Sequence, residues 1–227
     1  MERFKVVTDI EISKSLVFQI HQNKQKIFDR ILKAGVDPKN ITIVAVTKGF
    51  SIQAIQAGIQ EGFCNFGESY PKELNLKASS IKDPINWNFL GSIQKRHVAS
   101  IASLVSLWHS VDRIEEAKTI AKYRPGASIL LQVNTNGQPQ QGGCQIGEVE
   151  TLVEQSRSEG LDVKGLMTLG LNKDLKASRE CFRTLAKLGQ KLNLAELSMG
   201  MSDDLEVAVQ EGSTMLRIGR ALFGSRE

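Results

Sequence analysis

The 227 residues, 41% of them hydrophobic, suffice to bury a sizeable core in one domain spanning 1–227, near the size of a compact α/β barrel. A formal charge of +4 with no long run of like charges argues against a nucleic-acid arm, and no stretch approaches the ~20 apolar residues of a transmembrane helix. Cys64, Cys144 and Cys181 lie far apart, form no C-x-x-C pair and have no histidine at zinc-ligand spacing, so no metal site is expected.

Two of these cysteines sit in or beside apolar segments, which predicts buried, reduced thiols. The opening Met1-Glu2-Arg3-Phe4-Lys5 runs into polar and charged residues rather than an apolar signal region. A cytoplasmic protein that engages neither membrane nor nucleic acid is the expectation. Lys95, Arg96, Lys118, Lys122 and Arg124 lie along helical stretches beside acids and read as solvated faces.

In chain order, Leu16, Ile20, Ile27 and Ile31 mark one face of an opening helix that stops at Gly35. Ile41–Lys48 follows as a buried strand, and Ser51 caps a helix carrying Ala54, Ile55, Gly58 and Ile59. Strand-like runs then recur near 64–68, 86–91, 107–112, 129–134, 163–169, 196–200 and 215–219. Helical patterns separate them, clearest over Asp174–Leu192, and the polar stretch 135–147 is the one long interruption. About eight strand–helix units predict a single-domain (β/α)8 TIM-type barrel, with a doubly wound open sheet as the alternative.

In such a barrel, function gathers at the carboxyl ends of the strands, and phosphate is often held after strands seven and eight. Lys48 closes the first strand, where desolvation would lower its pKa and favour the neutral amine that condenses with an aldehyde. The seventh strand runs into Ser198-Met199-Gly200-Met201-Ser202-Asp203-Asp204. Ser198 offers a hydroxyl, Gly200 allows close backbone approach, and Asp203 with Glu206 has capping-box spacing. After the eighth strand, Gly219 exposes backbone N–H groups at the start of a short terminal helix. The Gly219–Gly224 spacing resembles part of a P-loop, but no Lys-Ser/Thr follows, which argues against an NTPase.

These residues fall within motifs that identify a family. Val44-Ala45-Val46-Thr47-Lys48, Phe66-Gly67-Glu68, Trp87-Asn88-Phe89-Leu90-Gly91, His109-Ser110-Val111-Asp112, Gln132-Val133-Asn134, Gly165-Leu166-Met167, Leu197–Asp204 and Gly212–Gly219 occur in the order found in the pyridoxal phosphate homeostasis (YggS/PROSC-like) proteins. The chain resembles that family along nearly its whole length. The resemblance implies a fold-type III barrel, similar to the N-terminal domain of alanine racemase, holding pyridoxal 5′-phosphate (PLP) as a Schiff base on Lys48. It places Ser198, with the adjoining Met199 and Gly200, and Gly219 with Arg220 at the phosphate. Arg217 falls beside the ring or phosphate, where an arginine next to the pyridine nitrogen would weaken the electron sink.

Departures from the family pattern are Ser69 for asparagine, Ile93-Gln94-Lys95-Arg96 for Leu-Gln-x-Asn-Lys, Gln138-Pro139-Gln140-Gln141 for Glu-x-x-Lys, and Arg220 for threonine. The function so implied is PLP homeostasis without dedicated catalysis, in a monomer. One competing reading is an amino-acid racemase using Tyr70. Another is a sugar-phosphate enzyme with Glu68 and Asp112 as its acid pair.

Overall fold

Eight short parallel strands curl into a closed barrel in the computed structural model, which describes residues 13–171 and 174–225. The expectation about residues 1–5 lies outside the described residues. In chain order the elements are α1 Lys14–Lys33, β1 Thr42–Val46, α2 Ile52–Gln60, β2 Asn65–Glu68, α3 Pro71–Ser80, β3 Asn86–Phe89, α4 Lys95–Ile101 and β4 Val105–Val111. Then come α5 Ile114–Tyr123, β5 Ser128–Gln132, α6 Val149–Ser158, β6 Asp162–Met167, α7 Leu175–Lys191, β7 Glu196–Ser198, α8 Leu205–Gln210, β8 Met215–Ile218 and α9 Arg220–Phe223.

Each strand pairs with its sequence neighbour, and β8 returns to β1 with Thr42 opposite Met215 and Ala45 opposite Ile218. That closing ladder excludes the open doubly wound sheet. β1 and β5 are buried at nearly every residue, between the barrel interior and the helical ring, which is why they read as near-continuous apolar runs. β3 and β6 also carry polar residues, of which Asn86, Asp162 and Lys164 are exposed. β1 ends at Val46, short of the run Ile41–Lys48 expected from sequence. Lys48 accordingly lies two positions beyond β1.

α1 buries Ile20, Ile27 and Ile31 and packs on α2, α8 and α9. Ser51 caps α2 as expected, accepting the Ala54 N–H at 3.4 Å. Cys144 and Cys181 are buried, whereas Cys64 is exposed, and all three are free. No helix among the described residues is long and apolar enough to cross a membrane.

Candidate ligand site at the carboxyl end of the barrel

The strand ends open onto a cavity of about 790 Å³, within the range typical of small-molecule sites. Val46, Lys48, Gln132, Met167, Arg217 and Gly219 line it from the strand ends. Loop residues complete the wall, among them Ser69, Gln141, Ser202, Asp203 and Arg220.

Of the residues expected from sequence, Lys48, Arg217, Gly219 and Arg220 meet at this cavity. Ser198, Met199 and Gly200, expected beside a phosphate, are not among the residues that line it. Ser198 is fully buried beneath the floor, with its hydroxyl engaged by Arg217 and His109. Gly200 sits at φ +94°, and an added Cβ would come within 2.4 Å of the Ala208 Cβ. Its glycine serves packing against α8 rather than approach of a ligand.

Four residues beyond Ser198, Ser202 reaches the cavity and accepts the Ala221 N–H at 3.1 Å, tying the β7 loop to α9. Its signal was a second serine in the same motif, and only the three-dimensional path separates the two. The expected capping box of Asp203 and Glu206 also does not form. Asp203 pairs with Arg220 at 2.6 Å, and Glu206 takes a bidentate contact from Arg30 on α1 at 2.5 and 2.8 Å. The N-cap position of α8 falls to Asp204, whose carboxylate accepts the Met201 N–H at 2.6 Å and is pushed up in pKa by burial.

Beneath the cavity runs a buried polar chain that connects strands across the barrel. The Arg217 Nη1 donates to Ser198 O and Oγ at 2.6 and 2.7 Å, and Nη2 donates to Thr168 O at 2.8 Å. The Ser198 hydroxyl contacts His109 Nδ1 at 3.0 Å, and His109 Nε2 contacts Asn88 Oδ1 at 3.0 Å. Because an amide oxygen only accepts, Nε2 carries the proton, and Nδ1 accepts from Ser198. Burial, then the nearby Arg217 charge, hold the His109 pKa well below its usual 6.5, so the ring is neutral, as this pattern requires. Burial lowers the Arg217 guanidinium to about 10, opposed by Asp204, and it remains a cation at neutral pH.

The stretch 135–147 is a working part of the site rather than a spacer. It turns back over the cavity: Gln132 Nε2 donates to Gln141 O at 2.8 Å, and Asp112 accepts the Gly143 N–H at 3.0 Å. Asp112 is thereby committed to holding this loop. Glu68 is fully buried in contact with Lys77 at 2.7 Å, and neither carboxylate lines the cavity. The acid pair of a sugar-phosphate enzyme is therefore not assembled. Tyr70 is 61% exposed and is not part of the cavity wall.

The profile described as "Alanine racemase, N-terminal domain" matches residues 28–227. Among curated relatives, a pyridoxal phosphate homeostasis protein of Pseudomonas aeruginosa is 36% identical over 221 residues, covering 92% of this chain and 96% of the relative. One from Caenorhabditis elegans is 35% identical, covering 83% and 87%. The solved structure of PipY from Synechococcus elongatus with PLP bound superposes with a TM-score of 0.78 at 26% identity, over 90% of this chain and all of that one. With strand order, site position and sequence in agreement, the chain belongs to the alanine racemase N-terminal domain family, in its branch of pyridoxal phosphate homeostasis proteins.

Proposed function

We propose that this protein binds PLP covalently through Lys48 and serves intracellular PLP homeostasis, without a dedicated catalytic turnover. The observation that carries the reading is Lys48 at the edge of a cavity that also collects Ser202, Arg217, Gly219 and Arg220. A primary amine suits the aldehyde, and two guanidinium groups with a hydroxyl suit the phosphate and ring. The residues present therefore fit PLP. When bound, PLP supplies an electrophilic aldehyde carbon to which the lysine nitrogen joins with loss of one water.

In this reading the phosphate contact passes from Ser198 to Ser202, beside the Gly219 backbone and Arg220. An added Cβ at Gly219 would stand 3.3 Å from Val46 O, so a larger residue would press on the β1 carbonyl at the Lys48 turn. α9 has four residues, so its summed peptide dipole is small, and individual N–H groups, the hydroxyl and the arginine charge do the holding. Arg217, pinned by three hydrogen bonds to Ser198 and Thr168, is a rigid cation that cannot deliver a proton to the ring nitrogen at neutral pH. This supports holding over catalysis. No tyrosine acid–base group reaches the cavity among its lining residues, so racemisation is disfavoured.

The test is a visible absorption spectrum of protein incubated with PLP, followed by borohydride reduction and peptide mass spectrometry. Wild type should turn yellow and carry the reduced adduct on Lys48, and Lys48→Ala should do neither. A wild-type protein that stays colourless would overturn the reading. The proposal includes a cytoplasmic monomer, for which light scattering and cell fractionation are the checks.

A further inference from the structure

The backbone that carries Lys48 is gripped from below by α3. Phe50 N–H donates to Thr47 O at 2.9 Å, and Gly49 has φ +74°, which makes Thr47–Phe50 a β-turn with Lys48 at its second position. Both peptide groups flanking the Lys48 Cα are tied to the same cluster. On one side, Thr47 O accepts from Lys77 Nζ at 2.6 Å. On the other, the Gly49 N–H donates to Glu73 Oε1 at 2.6 Å.

Lys77 is 3% exposed, and Nζ gives its remaining two hydrogens to Glu68 Oε1 at 2.7 Å and Glu73 Oε1 at 2.6 Å. All three ammonium donors are thus used. Thr47 Oγ1 donates to the same Glu68 oxygen at 2.7 Å, so side chain and backbone of Thr47 are both held. An ammonium group withdrawn this far from water is unfavourable unless paired, and methionine would fill the volume without that penalty. What the ammonium alone does is bind a turn carbonyl and two carboxylates at once. Burial raises the pKa of Glu68, opposed by its contact with Lys77, in keeping with a tight, dehydrated cluster.

Lys77, Glu73 and Glu68 are absent from the cavity wall, so whatever they do for a ligand they do through Lys48. We infer that Lys77 and Glu73 are positioning residues, which hold the Thr47–Gly49 backbone so that the Lys48 side chain leaves the turn into the cavity. The inference rests on Lys48 being the PLP-bearing residue. It adds that the lysine's reactivity is set from outside the cavity, by a helix that never meets the ligand.

The test compares wild type, Glu73→Ala, Glu73→Gln and Lys77→Met. Three quantities are read: amide hydrogen exchange at Gly49 without PLP, the melting temperature without PLP, and the rate of adduct formation with PLP by visible absorbance. The Glu73 side chain is 22% exposed against 4% for Lys77, so water can reach the donor vacated in the alanine variant. That variant should therefore lose only a few degrees in melting temperature. It should also exchange the Gly49 amide faster and form the adduct about tenfold more slowly, the scale of one lost charge-assisted hydrogen bond. Glu73→Gln, whose amide oxygen still accepts from Gly49, should recover most of the rate. Lys77→Met should slow the adduct further, and where it fails to fold the Glu73 pair decides. Wild-type adduct rates in Glu73→Ala would overturn the inference while leaving the proposed function intact. A wild-type protein that forms no adduct on Lys48 would instead remove the proposed function itself.

Discussion

His109 is neutral because two demands agree. Burial disfavours its charge, and the hydrogen-bond chain from Arg217 through Ser198 to Asn88 has a place for only one ring proton. Since the folded pKa lies below the unfolded 6.5, the unfolded chain takes up the proton first as pH falls. The stability this group contributes is complete above pH 6.5 and is lost below it, by about 1.4 kcal/mol per pH unit until the folded pKa is reached. Chemical denaturation between pH 5 and 8 should reveal this slope, and His109→Gln should flatten it by one proton. Ser198→Ala strips partners from His109 Nδ1 and Arg217 Nη1 inside the core, so a loss of roughly 2–3 kcal/mol is expected in urea titrations at pH 7. At this scale, Lys48 and Gly219 were legible as cavity-lining residues because strand-end position and motif agreed, and Arg217 through its motif alone. Ser198 and Ser202 were not separable, since both are serines of one motif and only the chain's path decides which reaches the cavity.

The β7–α8 connection illustrates what happens when an element is packed rather than isolated. Asp203 and Glu206 have the spacing to cap α8 reciprocally, yet each is engaged elsewhere: by Arg220 on α9 and by Arg30 on α1. Local capping is worth about 1 kcal/mol, and a charge-assisted contact to a neighbouring helix can match it. Gly200, at the start of this connection, has no such freedom. Gly200→Ala places a methyl group against Ala208 and Leu216 at a left-handed φ of +94°, and should cost more than about 2 kcal/mol. Thermal melting is the check, and a variant as stable as wild type would show that α8 can shift. The long helices α1 and α7 were readable from their apolar spacing. The stretch 135–147 was not, because its turns are held by Gln132 and Asp112, residues outside the stretch.

For the molecule as a whole, a ligand that binds only the folded barrel must stabilise it by mass action. At a free PLP concentration of about 100 times Kd, the gain is ~2.7 kcal/mol. A chain of this length should then melt roughly 5–10 °C higher. Calorimetry with and without PLP measures it, and Lys48→Ala should lose most of the shift; an equal shift in that variant would mean that binding does not depend on the covalent bond.

Sequence alone determined the alternation of strands and amphipathic helices, because strands such as β1 and β5, buried at nearly every residue, leave an apolar run, and helices such as α7 leave apolar residues at helical spacing. It also determined the family and the candidate lysine, because both are carried by contiguous motifs. Tertiary structure decided that the sheet closes, since the pairing of β8 with β1 joins residues more than 170 positions apart and leaves no local trace. It decided, too, which side chains face the cavity and which lie beneath it, and that Lys77 and Glu73 hold the Lys48 turn. Those choices depend on contacts among β1, β2 and α3 that form only when the barrel brings the three together.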